Sequence, residues 1–241
     1  MNTVKLAFNK YTPAVIKNPP LVILPGLFGS KQNWTSLSKS LTKKLNSEVF
    51  ALDLRNHGDS PHTALHSYDL MALDVQEFIK PLGPVNLMGH SMGGKVSMYV
   101  ALDEPQLLNK LVVVDVSPLP IKSGSLFKQY IKEMISLAEL GITSVKQADE
   151  FLARTIPELA VRQFLLTNLK QDEGDYKFRI NLEALNDAID SVWGFDRTGT
   201  YTGDTLFIQG TRSDYIKDED YPEITKLFPN SEFAKIDAGH W

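Results

Sequence analysis

The order of apolar and polar residues along the chain predicts alternating strands and helices. Short, continuous apolar runs that end at glycine, proline or polar residues predict strands buried on both faces. These runs are Leu21 to Leu24, Val49 to Leu54, Val85 to Met88, Lys110 to Val116, Thr205 to Gln209 and Phe233 to Ile236. Apolar residues spaced three or four positions apart predict helices over Asn33 to Leu45, Tyr68 to Lys80 and around Tyr221 to Leu227. This alternation is typical of the α/β class, with a mainly parallel central sheet and helices on both faces.

Each of the first two predicted helices has an apolar face, and we expect that of the second helix to be buried. The expected faces are Trp34, Leu37, Leu41 and Leu45 in the first helix and Met71, Val75, Phe78 and Ile79 in the second.

The pattern changes between about residue 119 and residue 196, where helical spacing continues without any strand pattern. The helical stretches are Leu126 to Leu140, Ser144 to Arg154, Glu158 to Leu169 and Leu182 to Trp193. We therefore expect a single domain over residues 1–241, with residues 119–196 forming a helical lid above a site at the edge of the sheet.

A serine lies where one predicted strand meets the next predicted helix. The sequence Gly89-His90-Ser91-Met92-Gly93 matches the G-x-S-x-G elbow, in which a strained turn projects the serine hydroxyl clear of the sheet. The backbone N–H of Met92, at the start of the helix, can face an oxyanion that develops on a substrate carbonyl. Gly93-Gly94-Lys95 also resembles part of a phosphate-binding loop, but the spacing does not fit that motif. The pattern thus favours Ser91 as a nucleophile and Met92 as an oxyanion donor.

A glycine-rich turn, Pro25-Gly26-Leu27-Phe28-Gly29, follows the first buried strand. In a sheet of this class the loop at this place supplies a second oxyanion donor, and the N–H of Leu27 is the candidate. An ordinary strand-to-helix turn is the alternative interpretation.

Two histidines are candidates for a base. His240 follows the last predicted strand, and the order serine, acid, histidine along the chain is that of the α/β hydrolases. His57 lies in the polar loop Arg55 to Pro61, where a role in organising the mouth of the site is favoured over a role as base. His90 is interpreted as a packing residue, because its side chain points away from the tip of a tight turn.

Composition and charge narrow the classes of function. The net charge is −4 and no basic stripe occurs, which argues against a nucleic-acid partner. The chain has no cysteine, so disulfides, cysteine nucleophiles and thiolate metal sites are excluded. The longest apolar runs are much shorter than a membrane span, so no stable membrane insertion is expected. No motif for a metal or another cofactor is present, and the sequence makes no prediction about the oligomeric state.

Several motifs together resemble the α/β-hydrolase superfamily, and more narrowly the subfamily of abhydrolase domain-containing protein 11. That subfamily includes bacterial YbfF-type esterases and is related to yeast ethanol acetyltransferases. The likeness runs from about Leu21 to the end of the chain. The residues that carry it are Pro25 to Lys31, Arg55 to Pro61, Gly89 to Lys95, Asp115 to Pro118, Arg162 to Leu169 and Gly239 to Trp241.

The resemblance implies a triad of Ser91, His240 and an aspartate, with two aspartates at strand ends as candidates. In the commonest layout of the superfamily the acid follows the later strand, which favours Asp214. In the resembling subfamily it follows the strand after the elbow helix in a D-x-[SA]-P setting, which favours Asp115. Asp115 is the preferred candidate and Asp214 the alternative.

The function implied by the resemblance is hydrolysis of a small-molecule carboxylic ester or thioester through an acyl-enzyme. An alcohol O-acyltransferase would use the same triad, and a non-catalytic binding module is a third interpretation. The resemblance also implies a mitochondrial location in a eukaryote or a cytoplasmic one in a bacterium. The resembling proteins continue beyond the residue that corresponds to Trp241 with a final helix, so we expect that this sequence lacks that helix.

Overall fold

The computed structural model describes residues 3–120, 124–172 and 174–241, so that residues 121–123 and 173 of the expected lid lie outside the described residues. The strands are β1 (Phe8–Tyr11), β2 (Leu21–Leu24), β3 (Val49–Leu52), β4 (Val85–His90), β5 (Leu108–Val114), β6 (Leu169–Asp172), β7 (Asp175–Phe178), β8 (Thr205–Gly210) and β9 (Ser231–Ile236). The helices are α1 (Thr35–Leu45), α2 (Tyr68–Ile79), α3 (Met92–Asp103), α4 (Gly124–Glu139), α5 (Val145–Leu152), α6 (Leu159–Leu166), α7 (Leu182–Ala188) and α8 (Tyr221–Leu227). Short 3-10 turns cover Lys80–Leu82, Pro105–Leu107 and Asp218–Asp220.

The main sheet of the described residues has seven strands in the order β1-β3-β2-β4-β5-β8-β9. The first strand is antiparallel to β3, and all other neighbours are parallel. The predicted α/β class with a mainly parallel sheet is therefore confirmed. The edge strand β1 was not predicted, because its residues alternate between half-buried and exposed and include only two aromatic positions.

The inner strand β2 contributes side chains to both parts of the core, one on each face of the sheet. Leu21 and Ile23 pack on one face of the sheet with Trp34 and Leu41 from the α1 region. Val22 and Leu24 belong to the larger core on the other face, which α2 and α3 cover with apolar side chains. All four residues of β2 are buried, as expected for a strand that has helices on both sides.

The apolar face of α1 packs in the core only in part, through Trp34 and Leu41, whereas Met71, Val75 and Ile79 of α2 are fully buried as predicted. In α1 the buried residues are Ser38 and Thr42, while Leu37 and Leu45 are exposed. The Thr42 hydroxyl donates to the Ser38 carbonyl at 2.7 Å, which satisfies this buried polar group. Leu37 instead borders the cavity at the active site described below, so its apolar side chain lines that cavity and does not pack in the core.

The insertion, defined here as residues 119–196, separates β5 from β8 and contains α4 to α7. The expectation that it holds no strand is wrong, because β6 and β7 form a two-stranded antiparallel hairpin. The hairpin residues LKQD and DYKF are largely polar and exposed, so no apolar run signalled a strand.

Parallel pairing brings the carboxyl ends of four strands to one edge of the sheet. Ser91 follows β4, Asp115 follows β5, Gly210 ends β8 and His240 lies beyond β9. The residues that sequence analysis selected for chemistry therefore meet at this edge.

Candidate active site

Ser91 occupies a strained turn between β4 and α3. Its backbone has φ 52° and ψ −120°, a conformation that a residue with a side chain rarely adopts. The turn is tight because glycines flank it: a Cβ on Gly93 would lie 2.5 Å from the carbonyl oxygen of Pro25, and one on Gly89 would overlap the Gly93 carbonyl. The backbone of the glycine-rich turn after β2 thus packs directly against the serine turn.

The side chains of Ser91, His240 and Asp115 form a continuous hydrogen-bonded chain. The Ser91 Oγ is 3.0 Å from His240 Nε2, and His240 Nδ1 is 2.6 Å from Asp115 Oδ2. All three residues are buried. Because a carboxylate only accepts, the proton on the ring lies at Nδ1 and leaves Nε2 free to take the serine proton.

Asp115 is held in place by two further donors. The Ser213 hydroxyl donates to Oδ2 at 2.6 Å, and the backbone N–H of Gly210 donates to Oδ1 at 3.0 Å. Burial alone would raise the pKa of Asp115, but the hydrogen bonds from His240, Ser213 and Gly210 outweigh it and lower the pKa below its usual value. A carboxylate that stays charged can stabilise an imidazolium ion on His240.

Asp214, the alternative acid, lies away from this chain of hydrogen bonds. Its side chain is 87% exposed, and its carboxylate faces Lys217 Nζ at 3.3 Å. The structure therefore brings Asp115, and not Asp214, into contact with His240.

Two residues that were not predicted to belong to the site, Tyr215 and His90, contact His240. The ring of Tyr215 stacks on the imidazole with centroids 3.6 Å apart and planes at 16°. His90, interpreted from the sequence as a packing residue, donates from Nε2 to the backbone carbonyl of His240 at 3.1 Å. Burial, together with the nearby His240, lowers the pKa of His90 to about 4. The sequence carries no signal for these contacts, because they join positions that lie 25 and 150 residues apart.

The glycine-rich turn presents Leu27 next to the serine. Leu27 lines two cavities that border Ser91, and a Cβ on Gly26 would lie 3.1 Å from the Ser91 Cβ. Met92 is the first residue of α3, so its N–H has no acceptor within the helix. The two N–H groups selected as oxyanion donors thus belong to segments that flank the serine.

His57 fixes the conformation of the same turn. Its Nε2 accepts from the backbone N–H of Phe28 at 3.2 Å, while Nδ1 donates to the Arg55 carbonyl at 3.0 Å. The Phe28 carbonyl accepts from Asn168 Nδ2 of the insertion at 2.9 Å, and Phe28 itself has φ 65°. Burial lowers the pKa of His57 to about 4, so the ring is neutral at physiological pH. With both nitrogens bonded to backbone groups, His57 organises the loop and is not positioned as a base.

Two cavities of very different size border Ser91 within the part of the chain that the structure describes. The larger has a volume of about 330 Å³ and is bordered by His240, by Trp34 and Leu37 near α1, and by Phe164 of α6. The smaller, of about 10 Å³, is bordered by Leu27 and Met92 as well as by Val192 and Trp193 at the end of the insertion. Its volume is close to the minimum that a single water molecule needs.

Within the ranges that the structure describes, no cluster of three or more His, Asp or Glu side chains is arranged to hold a metal ion. In the same ranges, no helix has the length and apolar character needed to cross a bilayer.

Comparison with known proteins adds independent information. Residues 19–139 match a family model described as the alpha/beta hydrolase fold. The chain is 44% identical to a Danio rerio protein named sn-1-specific diacylglycerol lipase ABHD11, over 92% of this chain and 73% of that protein. It is 43% identical to a Saccharomyces cerevisiae protein named "Probable alcohol acetyltransferase", over 92% of this chain and 72% of that protein. A solved structure described as a marine microorganism esterase superposes with a TM-score of 0.89 at 36% identity, covering 99% of this chain and 94% of that one.

Proposed function

This chain belongs to the α/β-hydrolase fold family, and we propose that it cleaves carboxylic esters with a catalytic triad of Ser91, His240 and Asp115. The observation that carries the proposal is the chain of hydrogen bonds from Ser91 through His240 to Asp115, at 3.0 and 2.6 Å, beside a cavity of about 330 Å³. The lipase and esterase names of its relatives support the same class of reaction.

The geometry supports a two-step reaction through an acyl-enzyme. The Ser91 oxygen attacks the ester carbonyl while its proton moves to His240 Nε2, and the oxyanion accepts hydrogen bonds from the N–H groups of Leu27 and Met92. The tetrahedral intermediate collapses, and the leaving alcohol takes the proton from His240. A water molecule then attacks the acyl-enzyme, again with His240 as base, and releases the carboxylic acid and free Ser91.

The two cavities support an assignment of the two halves of the ester. The leaving oxygen must lie near His240, which donates its proton, so the alcohol part occupies the larger cavity that His240 borders. The acyl group extends from the other side of the carbonyl, toward the smaller cavity beside Leu27 and Met92. With room for about one methyl group, that cavity favours acetyl esters over esters of longer acids.

Transfer of the acyl group to an alcohol is the second candidate function. The relative named as an alcohol acetyltransferase favours it, as does the small volume of the proposed acyl site. In this reaction an alcohol in the larger cavity replaces water as the acceptor, and His240 takes the alcohol proton. The insertion, which we propose to be a lid, borders that cavity through Ala160 and Phe164 and would exclude water from it.

Hydrolysis of p-nitrophenyl acetate by the unmodified protein and by Ser91→Ala tests the proposal. The Ser91→Ala variant is expected to lose at least about 10⁴-fold in kcat. Ser97→Ala, in the same helix, is the control and is expected to keep its activity. Equal activity of Ser91→Ala and the unmodified protein would exclude the triad. Added ethanol separates the two candidate functions, because the transferase forms ethyl acetate and the hydrolase forms acetate.

A cellular location follows only from the subfamily resemblance, which supports a mitochondrial protein if the source is a eukaryote. Imaging of a tagged full-length gene product in its own cells would test this.

A further inference from the structure

Lys95 is a lysine without access to solvent. It lies in the first turn of α3, four residues after Ser91, and its exposed fraction is 0%. Lysine is among the residues least often fully buried in proteins. Burial lowers the pKa of Lys95 to about 7, because the ammonium charge loses its hydration, so the contacts described next are those of the protonated form, which predominates below about pH 7. The reaction steps above do not use this residue.

The ammonium group of Lys95 binds both ends of the insertion. Its Nζ donates to the carbonyl of Leu119 at 3.0 Å, where the insertion begins. It also donates to the carbonyls of Trp193 at 2.9 Å and Gly194 at 2.8 Å, where the insertion returns to the domain. An ammonium group has three hydrogens, so these three acceptors use its full donor capacity.

The same residue also contacts the nucleophile turn. The backbone N–H of Lys95 donates to the Ser91 carbonyl at 3.1 Å, in the first turn of the helix that begins at Met92. Trp193, whose carbonyl Lys95 holds, borders the small cavity beside Ser91, and its ring lies 5.3 Å from that of Phe127 in α4. A displacement of the carboxyl end of the insertion would therefore move a wall of the proposed acyl site.

We propose that Lys95 is a positioning residue that fastens both ends of the insertion to the helix bearing the nucleophile. The two ends of the insertion leave the sheet at different strands, one after β5 and the other before β8. A single cation with three backbone acceptors joins these two departure points, and it does so beside Ser91. The effect of Lys95 on the insertion is independent of the proposed function, whereas its effect on KM rests on that function.

Amide hydrogen exchange tests the structural part of the proposal. In Lys95→Met the amides next to the departure points, those of Val116, Ser117 and Leu119 and of residues 190–196, are expected to exchange at least about tenfold faster, because hydrogen bonds to a charged group are lost there. The amides of β4 and β5 are expected to keep their protection. Lys146→Met is the matched control, since it removes an exposed lysine that pairs with Glu150 within α5, away from both ends of the insertion. Unchanged exchange, or an equal rise throughout the domain, would overturn the proposal.

A chemical rescue keeps the test valid even where Lys95→Met does not fold. The chain has no cysteine, so Lys95→Cys introduces a single thiol that can be alkylated selectively in the unfolded state. Bromoethylamine restores an ammonium group at nearly the original distance, and iodopropane gives a neutral side chain of the same length. After refolding, the aminoethyl form is expected to regain protection at both ends of the insertion, and the propyl form is not. Equal protection in the two forms would contradict a role for the charge.

The kinetic consequence is measured with the same variants. Lys95→Met is expected to raise KM for p-nitrophenyl acetate about tenfold with a smaller change in kcat, because the wall of the site moves while the triad keeps its geometry. The aminoethyl form is expected to restore KM. If the unmodified protein has no esterase activity that depends on Ser91, the exchange experiment still decides the role of Lys95. A loss confined to kcat would contradict positioning of the wall.

Discussion

The imidazole of His57 accepts a hydrogen bond from the backbone N–H of Phe28 at 3.2 Å, and this contact fixes the turn that presents Leu27 to Ser91. Phe28 has a positive φ of 65°, which an aromatic residue rarely adopts without support. Since a protonated imidazole cannot accept at Nε2, the contact exists only while His57 is neutral. The proposed oxyanion site therefore depends on the protonation state of a residue outside the triad.

The stability of the protein is expected to fall as the pH is lowered from about 6.5 to about 4. Burial lowers the pKa of His57 to about 4, whereas the unfolded chain has the usual value of 6.5. In this window the unfolded state binds the proton and the folded state does not, so acid favours unfolding. The full contribution of His57 is about 3 kcal/mol of the free energy of unfolding. It is complete above pH 6.5 and lost progressively below it.

Urea unfolding at several pH values measures this effect when His57→Gln is compared with the unmodified protein. Two other buried histidines, His66 and His90, also have lowered pKa values and add to the slope in both proteins. Only the contribution of His57 to the pH dependence of the free energy of unfolding should disappear in the variant. His62→Gln, at an exposed position, is the control. The same dependence on pH in His57→Gln and in the unmodified protein would contradict the assignment.

Exchanging each candidate acid for its amide separates the two carboxylates. Asp115→Asn is expected to lower kcat by roughly 10⁴, because the amide favours the wrong tautomer of His240 and cannot stabilise its charged form. Asp214→Asn is expected to stay close to the unmodified protein, since its side chain is exposed and pairs with Lys217. Ester hydrolysis at saturating substrate, with thermal unfolding to verify the fold, gives the comparison. A large loss in Asp214→Asn with none in Asp115→Asn would reverse the choice.

The sequence predicted the structure correctly where the pattern lies within a few neighbouring residues. Four continuous apolar residues predicted β2 with its observed bounds, and the spacing of glycines around Ser91 predicted the strained turn. The hairpin of β6 and β7 was missed, because its largely polar strands lack the apolar run on which the prediction rests. The place of Leu37 of α1 at the cavity was not predicted, since an apolar residue that borders a cavity looks in the sequence like one that fills the core.

The choice between Asp115 and Asp214 could not be made from local pattern. Strands β5 and β8 are neighbours in the sheet, so both aspartates follow strands that end at the same edge. Which carboxylate meets His240 depends on the backbone after each strand, and Asp115 turns toward the site with a φ of 54°. Ser213 contacts Asp115 across 98 positions of sequence, a relationship that no single-chain pattern encodes.

Loss of the Ser213 hydroxyl is expected to reduce kcat about tenfold, because Asp115 loses one hydrogen bond to its charged form and is less firmly oriented. The pKa of Asp115 should also rise, since the Ser213 bond is one of the contacts that lower it. The measurement is the pH profile of kcat for Ser213→Ala. Ser231→Ala, at the opposite end of β9 from the site, is the control. Unchanged kcat in Ser213→Ala would mean that the remaining bonds orient Asp115 fully.

If the acyl group and the alcohol part of the ester occupy different cavities, a different tryptophan limits the size of each part. Trp193 borders the small cavity and Trp34 the large one. Trp193→Ala is therefore expected to raise kcat/KM for p-nitrophenyl octanoate, relative to the acetate, by at least about tenfold, because each methylene group that finds apolar space contributes roughly that factor. Trp34→Ala should leave this ratio unchanged and alter the preference among acetate esters of different alcohols. If Trp34→Ala broadens the range of acyl lengths and Trp193→Ala does not, the acyl group occupies the large cavity and the assignment is reversed.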